Sequence, residues 1–173
     1  MEASIFRIPL PDDYEGSVAA TLVRFAAGRA PSRAVLYLHG YVDYFFQTHM
    51  ARWFVARGWS FYALDLRKYG RSLEAGQTPY YCRDLHEYYP EIDRSIERMR
   101  QDRIERIVLM GHSTGGLLAS LYASDGRRRA DIERLILNSP FFEFNASWFK
   151  RHVAVPVAAV LGRLWPYAHK KNE

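Results

Sequence analysis

The chain has 173 residues, of which 49% are hydrophobic and 15% aromatic, and it carries a formal net charge of +5. That content excludes a disordered chain, and the length suits one domain with a real core. A single cysteine, Cys82, excludes an internal disulfide framework and fits a reducing compartment. No base of the right kind adjoins it in sequence, so it reads as a bystander thiol. The first residues show no charged segment followed by an apolar one, and hence no secretory signal. The longest apolar run, residues 153–161, is broken by Pro156 and is too short to span a bilayer. A cytoplasmic location is expected, and no cofactor or metal is called for.

In chain order, residues 4–8 and 17–25 read as opening strands joined by the turn-rich Pro9-Leu10-Pro11-Asp12-Asp13. A loop over 28–32 leads into Ala34-Val35-Leu36-Tyr37-Leu38-His39-Gly40-Tyr41, a buried strand ending in His-Gly. Residues 45–57 have helical spacing and stop at Gly58. Residues 59–64 form the next strand, ending at Asp65. A helix spans about 84–100, with Ile92, Ile96 and Met99 on one face, and it starts or bends at Pro90. Ile107-Val108-Leu109-Met110 is a further buried strand. It runs into Gly111-His112-Ser113-Thr114-Gly115, after which Gly116 to Ala123 reads as a helix, and a last strand passes through Leu137. Asp125-Gly126 marks the end of that helix. The Arg127-Arg128-Arg129 run behind it complements the helix dipole as a solvated loop, with no nucleic-acid motif beside it. No internal repeat or low-complexity tract is present.

Strands separated by helices at this spacing imply a mostly parallel sheet covered on both faces. In such a sheet a site belongs at the carboxyl ends of the strands, where His39, Asp65, Ser113 and Asn138 all fall. The pattern G-x-S-x-G alone would arise by chance in roughly one chain in twenty of this length. Its position between a buried strand and a helix is what gives it weight. In such an elbow the serine hydroxyl stands clear of the sheet on a strained bend that tolerates no side chains two residues to either side. The N–H groups of Tyr41 and Thr114 are then the natural donors to an oxyanion formed by attack of Ser113 on a carbonyl. His39 precedes the serine and reads as a packing histidine that ties down its loop. His112 points away from the serine and packs against neighbouring loops.

Together these residues resemble the α/β-hydrolase family, in particular its serine aminopeptidase-like, lysophospholipase and monoacylglycerol-lipase-like branch. His39-Gly40-Tyr41 matches the oxyanion loop, and Asp65 to Ser72 matches the D-x-x-x-x-G-x-S loop. Gly111 to Gly115 matches the elbow, and Leu135-Ile136-Leu137-Asn138-Ser139-Pro140 matches the following strand. The resemblance covers about residues 30–141. It implies a core portion over 1–141, the beginning of a lid or cap over 142–173, and later strands that would carry the triad acid and histidine. It also implies a serine hydrolase acting through an acyl-enzyme on apolar carboxylic esters, such as a lysophospholipid or monoacylglycerol.

The base and acid must follow the serine. Asp125 and Asp131 lie at the wrong end of the sheet. Glu143 lies at the right end, and His152 sits in the amphipathic segment Trp148-Phe149-Lys150-Arg151-His152, so Ser113–His152–Glu143 is held as an alternative triad. His169, in a polar tail, makes a poor base because catalytic geometry must be held tightly. The favoured expectation is that base and acid lie beyond residue 173, so that these 173 residues alone show weak or no turnover. A truncated, inactive hydrolase-fold protein with a binding role is the other class. The last strand would expose an apolar edge, and a chain that is poorly stable alone, dimerises through that edge, or is part of a longer protein is expected.

Overall fold

A computed structural model describes residues 2–28, 31–143 and 147–165. The chain divides into two compact units, Met1–Phe141 and Phe142–Glu173. In the first unit the strands are β1 (Ser4–Pro9), β2 (Ala19–Phe25), β3 (Arg33–Leu38), β4 (Ser60–Asp65), β5 (Arg106–His112) and β6 (Ile132–Asn138). Its helices are α1 (Thr48–Val55), α2 (Tyr89–Gln101) and α3 (Thr114–Asp125). The six strands form one sheet in the order β1-β2-β4-β3-β5-β6. β1 pairs with β2, and β2 with β4, in antiparallel fashion, whereas β4, β3, β5 and β6 run parallel. The mostly parallel sheet expected from the strand and helix spacing is thus present.

Alternation along each strand divides the core between two faces. Leu36 and Leu109 meet Ile92, Ile96 and Met99 of α2 and Leu118 and Tyr122 of α3. Val35, Tyr37, Phe61 and Val108 meet Ala51 of α1, with Phe54 and Val55 packed alongside. Every residue of β4 is buried, as a strand covered on both faces requires. β6 forms the outer edge of the described sheet, and its Leu135, Ile136 and Leu137 remain 38%, 39% and 38% exposed.

One helix start differs from expectation, and the other falls at Pro90, one of the two readings open for it. α1 begins at Thr48 rather than Phe45, because the Phe45 N–H donates to Asp65 Oδ1 at 2.9 Å and its carbonyl accepts from Arg71 at 2.9 Å. Those bonds take both backbone groups of Phe45 out of any helix and drive its ring into the core. The segment leading to α2 is a separate short turn over Leu85–Tyr88, capped by Asp84, whose carboxylate accepts from the His86 N–H at 2.8 Å. α2 then opens at Tyr89 with Pro90 in its first turn, where a missing N–H costs nothing.

The loop after β4 is anchored by buried charge. Arg67 forks onto Glu91 of α2, with Nη2 2.7 Å and Nε 3.1 Å from Oε2, and both side chains are almost fully buried. Burial pushes the Glu91 carboxyl above the ordinary carboxylate range, while the guanidinium pulls against that shift. Next to it Lys68 is fully buried with a left-handed backbone, φ 63°. Its ammonium lies 2.7 Å from Asp13 and 2.6 Å from Glu15, both in the β1–β2 connection. Arg128, in the basic run after α3, pairs with Asp131 at 3.0 Å and reaches Glu97 of α2 at 3.6 Å, so this run is partly tied into the fold.

In the second unit a π-helical turn, Lys150–Ala154, leads into α4 (Val155–Leu164), with Pro156 in its first turn. Val157, Val160, Leu161 and Leu164 of α4 are all about half exposed or more. His169 lies outside the described residues.

Removing one partner of a buried, hydrogen-bonded ion pair strands the other charge, at a cost of about 3–5 kcal/mol. Arg67→Met is therefore expected to lower the free energy of unfolding, read from urea titration, by that amount, and the Arg67→Met/Glu91→Leu double variant to recover most of the loss. A single variant as stable as the parent would show that the pair does not hold the loop.

Candidate active site

The parallel register carries the strand ends to a common edge. Leu38 of β3 lies opposite Leu64 of β4 and Gly111 of β5, and His112 lies opposite Asn138 of β6. The residues that follow these ends, namely His39, Asp65, Ser113 and Ser139, therefore emerge together.

Ser113 occupies the bend between β5 and α3 with φ 53° and ψ −120°, a conformation that costs of order 1–3 kcal/mol for a residue with a side chain. Its backbone is held on both sides. The Ser113 N–H donates to the Asn138 carbonyl at 3.1 Å, and its own carbonyl accepts from Gly116 and Phe141, each at 2.9 Å. The elbow glycines are demanded by close approach. A β-carbon on Gly111 would collide with the Gly115 carbonyl, and one on Gly115 with the carbonyls of His39 and Leu38. α3 can thus start directly against β3 and β5.

The turn after β3 passes beside the serine. A β-carbon on Gly40 would lie 3.3 Å from Ser113 Cβ. Among the described residues, neither the N–H of Tyr41 nor that of Thr114 donates to another protein atom. Two amide donors without partners among the described residues thus lie close to the serine in the chain's turns, one following Gly40 and one at the first residue of α3.

His39 fixes this turn from below. It is 1% exposed, the Leu66 N–H donates to its Nε2 at 3.1 Å, and its Nδ1 lies 2.8 Å from the Gly40 carbonyl. An amide donor facing Nε2 makes that nitrogen the acceptor, so the proton sits on Nδ1 and the ring is neutral. Burial accordingly holds its pKa below the ordinary value. The ring is a structural tie between two loops, as its place before the serine suggested. His112 turns its Nδ1 to within 3.2 Å of the Asn138 carbonyl, away from any role as base.

Asp65 fixes the turn from the side, a role its motif did not reveal. Its buried carboxylate accepts from the Phe45 N–H through Oδ1 and from Arg71 Nη1 through Oδ2 at 2.7 Å. The Ser72 hydroxyl donates to the Asp65 carbonyl at 2.7 Å and lies 3.1 Å from Thr21 Oγ1 of β2. The aspartate and serine of the D-x-x-x-x-G-x-S loop thereby brace the chain that follows Tyr41.

A cavity of about 330 Å³ is bordered by the residues next to the serine bend. Gly40, Tyr41, Thr114 and Gly115 line it together with Leu66, Tyr69, Tyr80, Cys82, Leu85 and Tyr88. Sequence reasoning had left Cys82 as a bystander and gave these tyrosines no place. The only signal was the density of tyrosine over residues 80–89, which has no period that separates a pocket from a core. Burial raises the Cys82 thiol and lifts the Tyr69 phenol to about 12, so neither is charged near neutrality.

Within Met1–Phe141 no described residue hydrogen-bonds the Ser113 hydroxyl. In the second unit, the His152 ring stacks on Trp148 with its Nδ1 3.0 Å from the Trp148 carbonyl, so that nitrogen is engaged within its own helical segment rather than by a carboxylate. No group of three or more His, Cys, Asp or Glu suited to a metal ion occurs among the described residues.

Residues 29–173 match the family described as Serine aminopeptidase, S33. The chain is 34% identical over 139 residues to a monoacylglycerol lipase of Mycolicibacterium smegmatis, covering 79% of this chain and 47% of the relative. Among solved structures it superposes on a soluble variant of monoglyceride lipase from Saccharomyces cerevisiae. The TM-score is 0.74 at 16% identity, over 97% of this chain and 54% of that one. A thermostable carboxyl esterase from Bacillus coagulans gives a TM-score of 0.63 at 19% identity, over 78% of this chain and 44% of that one. The chain spans about half the length of the relatives it matches. With the strained serine bend, the flanking amides and the sheet order already in place, these matches establish that the chain belongs to the serine aminopeptidase S33 family of α/β-hydrolases.

Proposed function

We propose that this chain carries the nucleophile and oxyanion site of a serine hydrolase acting on carboxylic esters of apolar acyl groups, with lysophospholipids and monoacylglycerols as the model substrates. Ser113 Oγ attacks the ester carbonyl, and its proton passes to a histidine held by an acid. The carbonyl oxygen becomes an oxyanion that the Tyr41 and Thr114 N–H groups receive, the alcohol leaves, and water releases the acyl group from Ser113. Each amide donor is worth on the order of 3 kcal/mol in the transition state. The observation that carries this reading is the φ 53° bend at Ser113, near the Gly40 turn and at the start of α3, where among the described residues the Tyr41 and Thr114 N–H groups donate to no protein atom. A strained backbone braced by four hydrogen bonds supports the reading of a side chain held for use.

Base and acid are assigned to residues outside these 173, in keeping with relatives about twice as long. The intrachain alternative, Ser113–His152–Glu143, draws less support, since His152 Nδ1 is turned to the Trp148 carbonyl. One observation favours a binding role without turnover: within the first unit no described group acts on the Ser113 hydroxyl. The ester reading ranks above peptide hydrolysis because the cavity beside Ser113 is lined by aromatic and aliphatic side chains without a charged one.

A fluorophosphonate probe is expected to label this chain at Ser113 slowly, with labelling abolished in Ser113→Ala as read by mass spectrometry. A chain that takes no label at saturating probe while remaining folded would favour the binding role. His152→Ala is expected to leave the labelling rate unchanged, whereas a fall of tenfold or more would assign the base to His152. Asp65→Ala frees the Phe45 amide and Arg71 together. It is expected to slow labelling on the order of 10²-fold through misplacement of the Tyr41 amide, with cooperative melting retained.

A further inference from the structure

The Tyr41 N–H and the Gly40 carbonyl belong to one peptide plane and point in opposite directions across it. His39 grips that plane by its carbonyl, since its Nδ1–H donates to the Gly40 oxygen at 2.8 Å. At the other end of the plane, the Tyr41 N–H makes no bond to protein among the described residues. Val42, which follows, is left-handed with φ 54°, and beyond it Phe45 is held by Asp65. A plane gripped at one end can still turn about the bonds to Tyr41, whereas an oxyanion donor needs a fixed direction.

A connected set of four rings reaches that other end. The His39 ring lies 4.8 Å from that of Tyr69, Tyr69 lies 5.1 Å from Tyr80, and Tyr80 meets Tyr41 edge to face at 6.0 Å. The series starts at the residue before Gly40 and returns to the residue after it. Tyr41 is 62% exposed and Tyr69 is buried, so the series ties an exposed ring to the core. Tyr80 is itself fixed through its backbone. Its φ of 64° is a left-handed conformation that side chains rarely adopt and that persists only where the surroundings over-determine it. The Tyr80 N–H donates to the Lys68 carbonyl at 3.1 Å, and the Tyr80 carbonyl accepts from the Tyr69 hydroxyl at 3.4 Å. Lys68, also left-handed, has its buried ammonium between Asp13 and Glu15. A ring on so constrained a backbone is a fixed stop.

We propose that Tyr80 is a positioning residue of the site: its ring holds that of Tyr41 and so keeps the Tyr41 N–H aimed, from the end of the peptide plane that His39 does not reach. Tyr80 offers no group to the reacting atoms and acts only through Tyr41. An edge-to-face pair favours one arrangement of the Tyr41 side chain by roughly two- to tenfold. The consequence for reaction rests on the reading of the Tyr41 N–H as an oxyanion donor. The hold on the turn rests on ring geometry alone.

The test sets two readouts on Tyr80→Ala, Tyr80→Phe, Tyr41→Ala and the Tyr41→Ala/Tyr80→Ala double variant. In chains carrying 15N-tyrosine, Tyr80→Ala is expected to shift and broaden the Tyr41 amide signal, and Tyr80→Phe to leave it near its parent position. Fluorophosphonate labelling of Ser113 is expected to slow roughly two- to tenfold in Tyr80→Ala and to return to the parent rate in Tyr80→Phe. Tyr41→Ala keeps the amide and lacks the ring, so in that background the loss of Tyr80 is expected to change the rate no further. A Tyr41 amide signal unmoved by Tyr80→Ala overturns the proposal, and so do single-variant effects that simply add in the double variant. Should Tyr80→Ala not melt cooperatively, Tyr80→Leu, which keeps apolar bulk without a ring, takes its place in every comparison. A chain that takes no label while its Tyr41 amide responds to Tyr80→Ala counts against the serine-hydrolase reading and leaves the hold on the turn standing.

Discussion

A backbone rotation at Ser113 that side chains rarely adopt governs the arrangement of the site, and much of the neighbouring structure serves to hold it. The bend exists because β5 must reverse into α3 within one residue. It persists because the Ser113 N–H and carbonyl are bonded to Asn138, Gly116 and Phe141. The strain, about 1–3 kcal/mol, is offset by these bonds and by the close packing that the absent side chains of Gly111 and Gly115 permit. The pairing of β5 with β6 supplies the Asn138 carbonyl, so sheet register and nucleophile geometry are one constraint.

Around this bend the loop from Asp65 to Ser72 acts as a distribution point. Its side chains leave in different directions, each to a buried or half-buried polar partner. Asp65 and Arg71 bind the backbone at Phe45 and so set the path of the chain after Tyr41. Arg67 reaches α2 through Glu91, and Lys68 reaches the β1–β2 connection through Asp13 and Glu15. Ser72 reaches β2 at Thr21. Charge buried in this way adds little net stability compared with apolar packing, but an incorrectly placed partner is very costly. The cluster therefore specifies one arrangement of loops over the strand ends, which is what a site with amide donors and a shaped cavity requires.

The charged residues of this loop and the neutral lining of the cavity are two sides of one structure. Lys68, Asp13 and Glu15 pair with one another and none of them lines the cavity, whose lining includes tyrosines, leucines, Cys82, Thr114 and the His39 imidazole but no Lys, Arg, Asp or Glu. A thiol and phenols kept neutral by burial leave no charge to attract water or a polar head.

The sequence by itself determined the strand and helix order, the parallel sheet, the elbow and the strand ends at which the site would lie. It could do so because these features are written in local periodicity and in glycines required within five residues of one another. It also placed His39 correctly as a packing residue, from chain order alone. It did not determine where α1 starts, what Asp65 does, or that Cys82 and a set of tyrosines face a cavity. Those depend on partners distant in sequence: Phe45 is drawn out of its helix by a carboxylate twenty residues later, and Lys68 tolerates complete burial only because Asp13 and Glu15 arrive from the first hairpin. Hydrophobic pattern records which residues leave water, but the partner that each buried polar group meets is settled only when the chain closes on itself.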